Sequence, residues 1–402
     1  IPLKVGEYTL ELVGGKDGLK LSANKFEIKS GSDEKTVTVE FVPTVATKEI
    51  PKSDEKTDTQ ADPTLPAIPS VEELLKTREV LTVAQDGSGD FKTIQAALDA
   101  VKAGQVILVK GKGPYRETPT HNSLPENVSL ISLDGARIEL KDYITDGEGW
   151  QWGSHFVCQG SFYVSGLTWV STAVPKDAFV LLNLFRFKPG ETTLEKCSFE
   201  GQLPAGAFAF RSVCGSELMG KLLLQDNHFA RRIQVYHAEA IIQRNWFGPT
   251  SRQSELNLGQ SGKLTFSSNV VQIDEAIAIS FFQPRDKSKP QPGVDVYVYN
   301  NVFDATFSPV AFWANSPDDM HPHSVHIANN IMGSRNGQGV LFNTESMKAV
   351  NDSWRIGPNA YAVAPKDGKF SQTGPSGVSW PKGERDLIAD RDFLSVEPSE
   401  AN

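Results

Sequence analysis

An all-β solenoid of stacked coils is the fold class predicted for this 402-residue sequence, and three observations predict it. The first is a repeat that reads apolar, any, apolar, any, any, Asn, any, apolar. It occurs as Leu222/Leu224/Asn227/Phe229 and directly afterwards as Ala240/Ile242/Asn245/Phe247. Upstream it reads Phe162/Val164/Leu167/Trp169 and Thr192/Leu194/Cys197/Phe199. Downstream it reads Leu264/Phe266/Asn269/Val271, Val296/Val298/Asn301/Phe303, Val325/Ile327/Asn330/Met332 and Trp354/Ile356/Asn359/Tyr361. The second observation is the period: the sixth positions lie 30, 30, 18, 24, 32, 29 and 29 residues apart. That is the size of one structural unit per coil, whereas the strand-turn units of a sandwich recur at shorter spacing. The third is the alternation inside each unit, which puts both leading apolar residues on one face of a strand. One coil cannot bury that face alone, but stacked coils form a continuous inward column. The Asn is assigned to the turn, as a residue that tolerates left-handed backbone.

Composition bounds the function. Charged residues make up 22% and apolar residues 39% of the chain, as in a globular protein, and the formal net charge is −9. That charge argues against nonspecific binding to nucleic acid or to an anionic membrane surface. No apolar run reaches transmembrane length, so membrane insertion by this chain is not expected. Cys158, Cys197 and Cys214 show no C-x-x-C spacing and read as small core hydrophobes.

Taken in order, residues 1–43 alternate in two stretches, Tyr8/Leu10/Leu12 and Val37/Val39/Phe41, with Gly14-Gly15, Asp17-Gly18 and Ser30-Gly31 between them. This predicts a small β-sandwich-like domain. Residues 44–70 are polar and Pro-rich and read as a solvated linker. Residues 71–365 hold the coils. Residues 366–402 read as a C-terminal cap and tail, docked through Leu387-Ile388 and Phe393-Leu394.

The solenoid opens on Leu81 to Val101. Val83 belongs to a strand, Gly87 and Gly89 make a turn, and Ile94, Ala97, Leu98 and Val101 share one helix face. Such a helix covers the open end of the core, and strand Val106 to Val109 follows it.

Two resemblances attach to these residues. Asp86-Gly87-Ser88-Gly89, Phe91, Thr93-Ile94 and Ala96-Ala97, with Gly113-Pro114-Tyr115-Arg116-Glu117, resemble the first coil and cap of pectin methylesterases and of the wider pectate-lyase-like family. The resemblance implies a right-handed parallel β-helix. It would also import two catalytic aspartates and an arginine, from Q-D-T-L, D-F-I-F-G and L-G-R-P-W. None of these motifs is present, and the strand Arg232 to His237 that precedes Gln243-Arg244-Asn245 contains no aspartate. Ester hydrolysis by that route needs a carboxylate nucleophile and a second carboxyl, so pectin methylesterase activity is not expected. Separately, Val5-Gly6-Glu7-Tyr8-Thr9-Leu10, Phe26-Glu27-Ile28 and the Gly31 turn into Val37-Thr38-Val39 resemble PEGA-like β modules of bacterial surface proteins and receptor-type Ser/Thr kinases. That resemblance implies an extracytoplasmic location and a chain that is part of a larger protein.

Candidate site residues come from alternation in the strands that follow each turn. With Ile233/Val235, Leu256/Leu258, Ile277/Ile279 and Val310/Phe312 inward, Arg232, Gln234, Tyr236, Glu255, Asn257, Ser280, Phe282, Trp313 and Asn315 point outward, with Arg211 one coil earlier. A ladder of cationic, amide and aromatic groups suits an acidic polysaccharide: rings pack on sugars, and Arg and Asn bind carboxylates and hydroxyls. The competing reading is a solvated face with paired charges, or one covered by the loop Arg285 to Gly293. For a lyase, Arg232 would take the proton beside a uronate carboxylate, with Arg211 and Glu255 next to it and calcium or a second Arg offsetting the charge. A separate cluster, Asp318, Asp319, His321 and His323, offers metal ligands, although a polar surface loop explains it equally well. Two functions follow as expectations: an extracytoplasmic β-helix that binds an acidic polysaccharide, with or without cleaving it, or the noncatalytic sensing or adhesion region of a larger bacterial surface receptor.

Overall fold

The computed structural model describes residues 6–9, 19–21, 25–28, 39–41, 69–140, 152–171, 181–187, 190–201, 210–215, 219–230, 232–248, 256–273, 277–281, 295–305, 309–314, 324–334, 340–342, 354–361 and 387–388. The chain divides into two compact units, Ile1–Ala67 and Ile68–Asn402. In the first, Gly6–Thr9 pairs antiparallel with Lys25–Ile28, and Leu19–Leu21 pairs antiparallel with Val39–Phe41.

The second unit is a parallel β-helix whose coils present three sheet faces. Face A contains Trp152–Cys158, Leu181–Phe187, Phe210–Gly215, the first half of Arg232–Gln243, the first half of Leu256–Ser267, Ile277–Phe281, Val310–Ala314 and Val340–Phe342. Face B carries the repeat strands. It runs from Val80–Val83 and Val106–Val109 through Phe162–Ser165 and Glu191–Glu195 to Ser324–Ala328 and Trp354–Ile356. Face C runs from Arg137–Leu140 to Ala360–Tyr361, and Leu387–Ile388 adds a further parallel strand to its end. The first rung is therefore Val80–Val83, one strand earlier than the Val106–Val109 start expected from sequence. The repeat's apolar positions are the core: Phe162, Val164, Leu167 and Trp169 are buried, and so are their equivalents in the coils that follow. Phe199, Phe229 and Phe247 stack at 4.9 and 5.1 Å between ring centres, one per coil.

The Asn of the repeat does not take the left-handed conformation. Its predecessor does: φ is 53° at Lys196, 55° at Asp226, 54° at Arg244, 56° at Ser268 and 58° at both Asn300 and Asn329. This one residue turns the chain from face B to face C, and the turn aims the next side chain into the core. Buried amides survive there because each is paired. Asn245 Oδ1 accepts from the Asn227 N–H at 3.0 Å, and Asn245 Nδ2 donates to the Leu224 carbonyl at 2.9 Å. The same pattern runs through Asn269, Asn301 and Asn330 to Asn359 and terminates on the Cys197 N–H, bound by Asn227.

The N-terminal cap explains the motif residues around it. Thr93 caps helix Ile94–Ala100, whose Ile94, Ala97 and Leu98 close the end of the core. Glu117 accepts from the Ile94 and Gln95 N–H groups at 2.9 and 3.0 Å, satisfying two orphan donors of the first turn. Tyr115 donates its hydroxyl to the Lys110 carbonyl at 2.6 Å. A Cβ on Gly89 would stand 2.8 Å from the Thr82 carbonyl, and that close approach is the reason for glycine. A second helix, Val71–Thr77, starts at Ser70 and lays Leu74 against Val106, Ile131 and Tyr163 on the outside of face B.

Candidate functional site

The strands of face A carry most of the residues expected from sequence to bind a polysaccharide, and their register can be followed along the stack. Arg211 is the Cα partner of Arg232, and Gln234 pairs with Cys214 after a register shift. Gln234 then neighbours Asn257, which neighbours Ala278 and, one rung on, Ala311. Tyr236, Gly259, Ser280 and Trp313 form a second column. The backbone thus brings Arg211 to Arg232 and Gln234 to Asn257, while Tyr236 and Trp313 lie three rungs apart, about 14 Å at 4.8 Å per strand. Glu255, Phe282 and Asn315 lie outside the described residues, as do the side chains of Arg211, Arg232, Gln234, Tyr236, Asn257 and Trp313. Ala311, between the core residues Val310 and Phe312, is itself only 1% exposed.

The proposed metal ligands Asp318, Asp319, His321 and His323 also lie outside the described residues. Among the described residues no group of three His, Cys, Asp or Glu side chains could hold a metal ion. Cys158 and Cys197 are buried free thiols, as their core reading implies, and burial pushes the Cys197 thiol up to about 12.

A cationic and aromatic ladder of the expected kind does stand on the outside of face B. The second position of the repeat aligns Thr265, Tyr297, His326 and Arg355 on successive coils. The Tyr297 and His326 rings stack at 5.1 Å with 10° between their planes, and Lys263 Nζ sits 5.5 Å from the centre of the Tyr297 ring. The Ser324 hydroxyl is 2.8 Å from His326 Nε2. Burial, then the charge of Arg355, hold the His326 pKa below the usual imidazole range, and Asp295 opposes them. Tyr297, His326 and Arg355 are not among the site residues expected from sequence. The signal was available, because all three occupy the "any" position between the two leading apolar residues.

Further back on the same face the outward polar groups are locked together rather than open. Glu195 accepts from the Tyr163 hydroxyl and from Gln225 Nε2, each at 2.6 Å, and Gln243 Nε2 donates to Gln225 Oε1 at 3.1 Å. This row braces neighbouring coils.

Parallel coils with a paired Asn column, capped by a helix and the Gly-x-Tyr-x-Glu element, define a β-helix that fits the pectinesterase and pectate-lyase-like class. A segment of 107 residues is 30% identical to a protein of Arabidopsis thaliana described as probable pectinesterase/pectinesterase inhibitor 60. The match covers 25% of this chain and 19% of that protein's length. No protein-family model matches the chain. No helix among the described residues is long and apolar enough to cross a membrane.

Proposed function

We propose that this chain is a pectin-related carbohydrate-binding protein that works outside the cytoplasm and holds an acidic polysaccharide along face A. The observation that carries the reading is the register of face A, where Arg211 adjoins Arg232 and Gln234 adjoins Asn257 on neighbouring parallel strands. A polymer lying along the solenoid axis meets one such group per coil, and guanidinium groups match carboxylates in geometry as well as charge. The similarity of one segment to a pectinesterase supports a pectin-like ligand, and the missing aspartate motifs favour binding over ester hydrolysis.

The cleavage this face would support is β-elimination. Arg232 in its neutral form takes the proton from C5, next to the uronate carboxylate, a C4–C5 double bond forms as the C4–O bond breaks, and the departing glycosidic oxygen takes a proton from water, to which Arg232 then returns one. Arg211 offsets the carboxylate charge, and Glu255 orients Arg232.

The test is retention of the protein on homogalacturonan and on neutral glycans, with mass analysis of any products. Arg232→Ala and Trp313→Ala should each weaken retention on the acidic polymer at least tenfold with an unchanged Tm. Unsaturated oligosaccharides would add lyase activity; retention unaltered by both substitutions would remove face A from consideration.

A further inference from the structure

The corner between faces B and C is a groove of about 550 Å³, and nothing in the face A reading uses it. Two columns wall it. One is the row of left-handed residues Lys196, Asp226, Arg244 and Ser268; the other is the outward first position of face C, Thr168, Ser198, His228, Trp246 and Val270. Its floor is the buried Cys197, Asn227 and Asn245 of the amide column.

Trp246 is 46% exposed and Val270 beside it 44%, on a unit whose other large aromatic side chains in face C point into the core. Exposed side by side, the indole and the valine put apolar surface directly against a polar groove, the mix of surfaces that a sugar ring with its hydroxyls and carboxylates can use. The ring is also held in place. His228 stacks on it at 4.7 Å and 26°, and His228 is itself fixed by the Ser198 hydroxyl, 3.2 Å from Nδ1, and by the Gly248 carbonyl, 3.2 Å from Nε2. Across the groove, Arg244 is gripped by both oxygens of Asp226, at 2.8 Å each, and donates to Gln225 at 3.1 Å. An aromatic platform and hydrogen-bonding groups, all pre-positioned, lose little side-chain freedom on binding. Arg244 is thus paired with Asp226, Glu200 at the groove's edge accepts from Ser198 and pairs with Arg137, and Lys196 is a further cation in the lining, on a chain whose formal net charge is −9.

We infer that this corner groove is a second glycan-binding site, in which a sugar ring of an extended acidic polysaccharide stacks on Trp246 and its polar groups face Lys196, Ser198 and Arg244. The inference rests on the carbohydrate reading proposed above but places the contact on a different edge of the solenoid. The groove repeats once per coil, so it runs parallel to the axis. Its five rungs from Thr168 to Val270 cover about 19 Å at 4.8 Å per strand, room for several rings of a linear polymer.

Two measurements on the full chain test it. In the first, N-bromosuccinimide oxidises exposed indoles and peptide mass analysis reads Trp246; homogalacturonan oligomers should slow its oxidation at least fivefold, and neutral galactan oligomers should slow it less. In the second, Trp246→Ala should weaken binding of the acidic oligomers at least fivefold while Trp313→Ala leaves the protection of Trp246 intact. Protection of Trp246 with no effect of either Arg232→Ala or Trp313→Ala on affinity would sustain this site and sink the face A reading. Loss of binding in Trp313→Ala with no protection of Trp246 would do the reverse. Binding of neither oligomer to the unaltered protein would overturn both, and because oxidation needs no substitution, a folding defect in Trp246→Ala leaves the test intact.

Discussion

At the scale of single residues, the buried amide and its left-handed neighbour have separate jobs that substitution can separate. Asn269 accepts from the Asn245 N–H and Nδ2 at 2.9 and 3.1 Å and donates to the Ile242 carbonyl and Asn301 Oδ1 at 2.9 and 3.0 Å. Asn269→Ala leaves buried donors and acceptors without partners, at roughly 1–3 kcal/mol for each group. A loss of about 3 kcal/mol in denaturant unfolding is expected, and a loss below about 1 kcal/mol would mean that water replaces the amide. Ser268→Gly removes a left-handed strain of about 1 kcal/mol but loosens the unfolded chain by a similar amount, so its stability should stay within about 0.5 kcal/mol. The column of Asn was legible in the sequence, but which of two adjacent residues has positive φ was not. Lys196, Arg244 and Ser268 share no side-chain chemistry; Gly166, at φ 71° in the same position of the first repeat, and Asp226, Asn300 and Asn329, of types that tolerate positive φ, were the hints.

His326 belongs to the same scale. Its folded pKa is depressed, so the folded protein prefers the neutral ring and the unfolded chain binds the proton more readily. Its contribution to stability is therefore complete above the ordinary imidazole value of roughly 6.5 and is lost as pH falls from there towards the lower folded value. Thermal unfolding of His326→Gln should fall less steeply over that acidic window than that of the unaltered protein. Parallel curves would show that Arg355 and burial do not govern the ring.

At the scale of elements, the N-terminal cap shows what a motif is for when it is not catalytic. Asp86-Gly-Ser-Gly and Gly-x-Tyr-x-Glu were recognisable in sequence as architecture, and the structure supplies the bonds. Asp86 accepts from the Ser88 N–H at 2.9 Å, Asp90 accepts from Thr82, and Glu117 holds the start of helix Ile94–Ala100. Glu117→Ala strips two N–H groups of their acceptor and removes a negative charge from the helix start. It should cost about 1–2 kcal/mol, with Glu117→Gln recovering part of it. If Glu117→Ala unfolds at the same denaturant concentration as the unaltered protein, the helix is held by its apolar face alone. Face A was harder to read than the cap. Its strands repeat no residue at a fixed position to set their phase, and the register shift between Arg211 and Cys214 moves Gln234 out of the column that simple alternation assigns.

At the scale of the whole molecule, a parallel solenoid turns single positions into columns, and this bears on how a chain of net charge −9 can hold an acidic polymer. Its overall field repels such a ligand, so attraction must come from cations concentrated in rows, at distances shorter than the screening length of about 10 Å in 0.1 M salt. The face A pair Arg211 and Arg232 and the Trp246 corner would then respond differently to salt. Ion pairing on face A weakens as ions compete for the guanidinium groups, whereas the corner groove adds to the charge of Lys196 the packing of a sugar ring on Trp246, which ions leave intact, so its binding should depend less steeply on salt. Homogalacturonan affinity measured from about 0.05 to 0.5 M salt should fall at least tenfold if face A dominates, and Arg232→Ala should flatten that slope. A slope unchanged by Arg232→Ala but an affinity lowered by Trp246→Ala would move the principal contact to the corner groove. A salt-independent affinity untouched by either substitution would mean that the polymer is held by neither column.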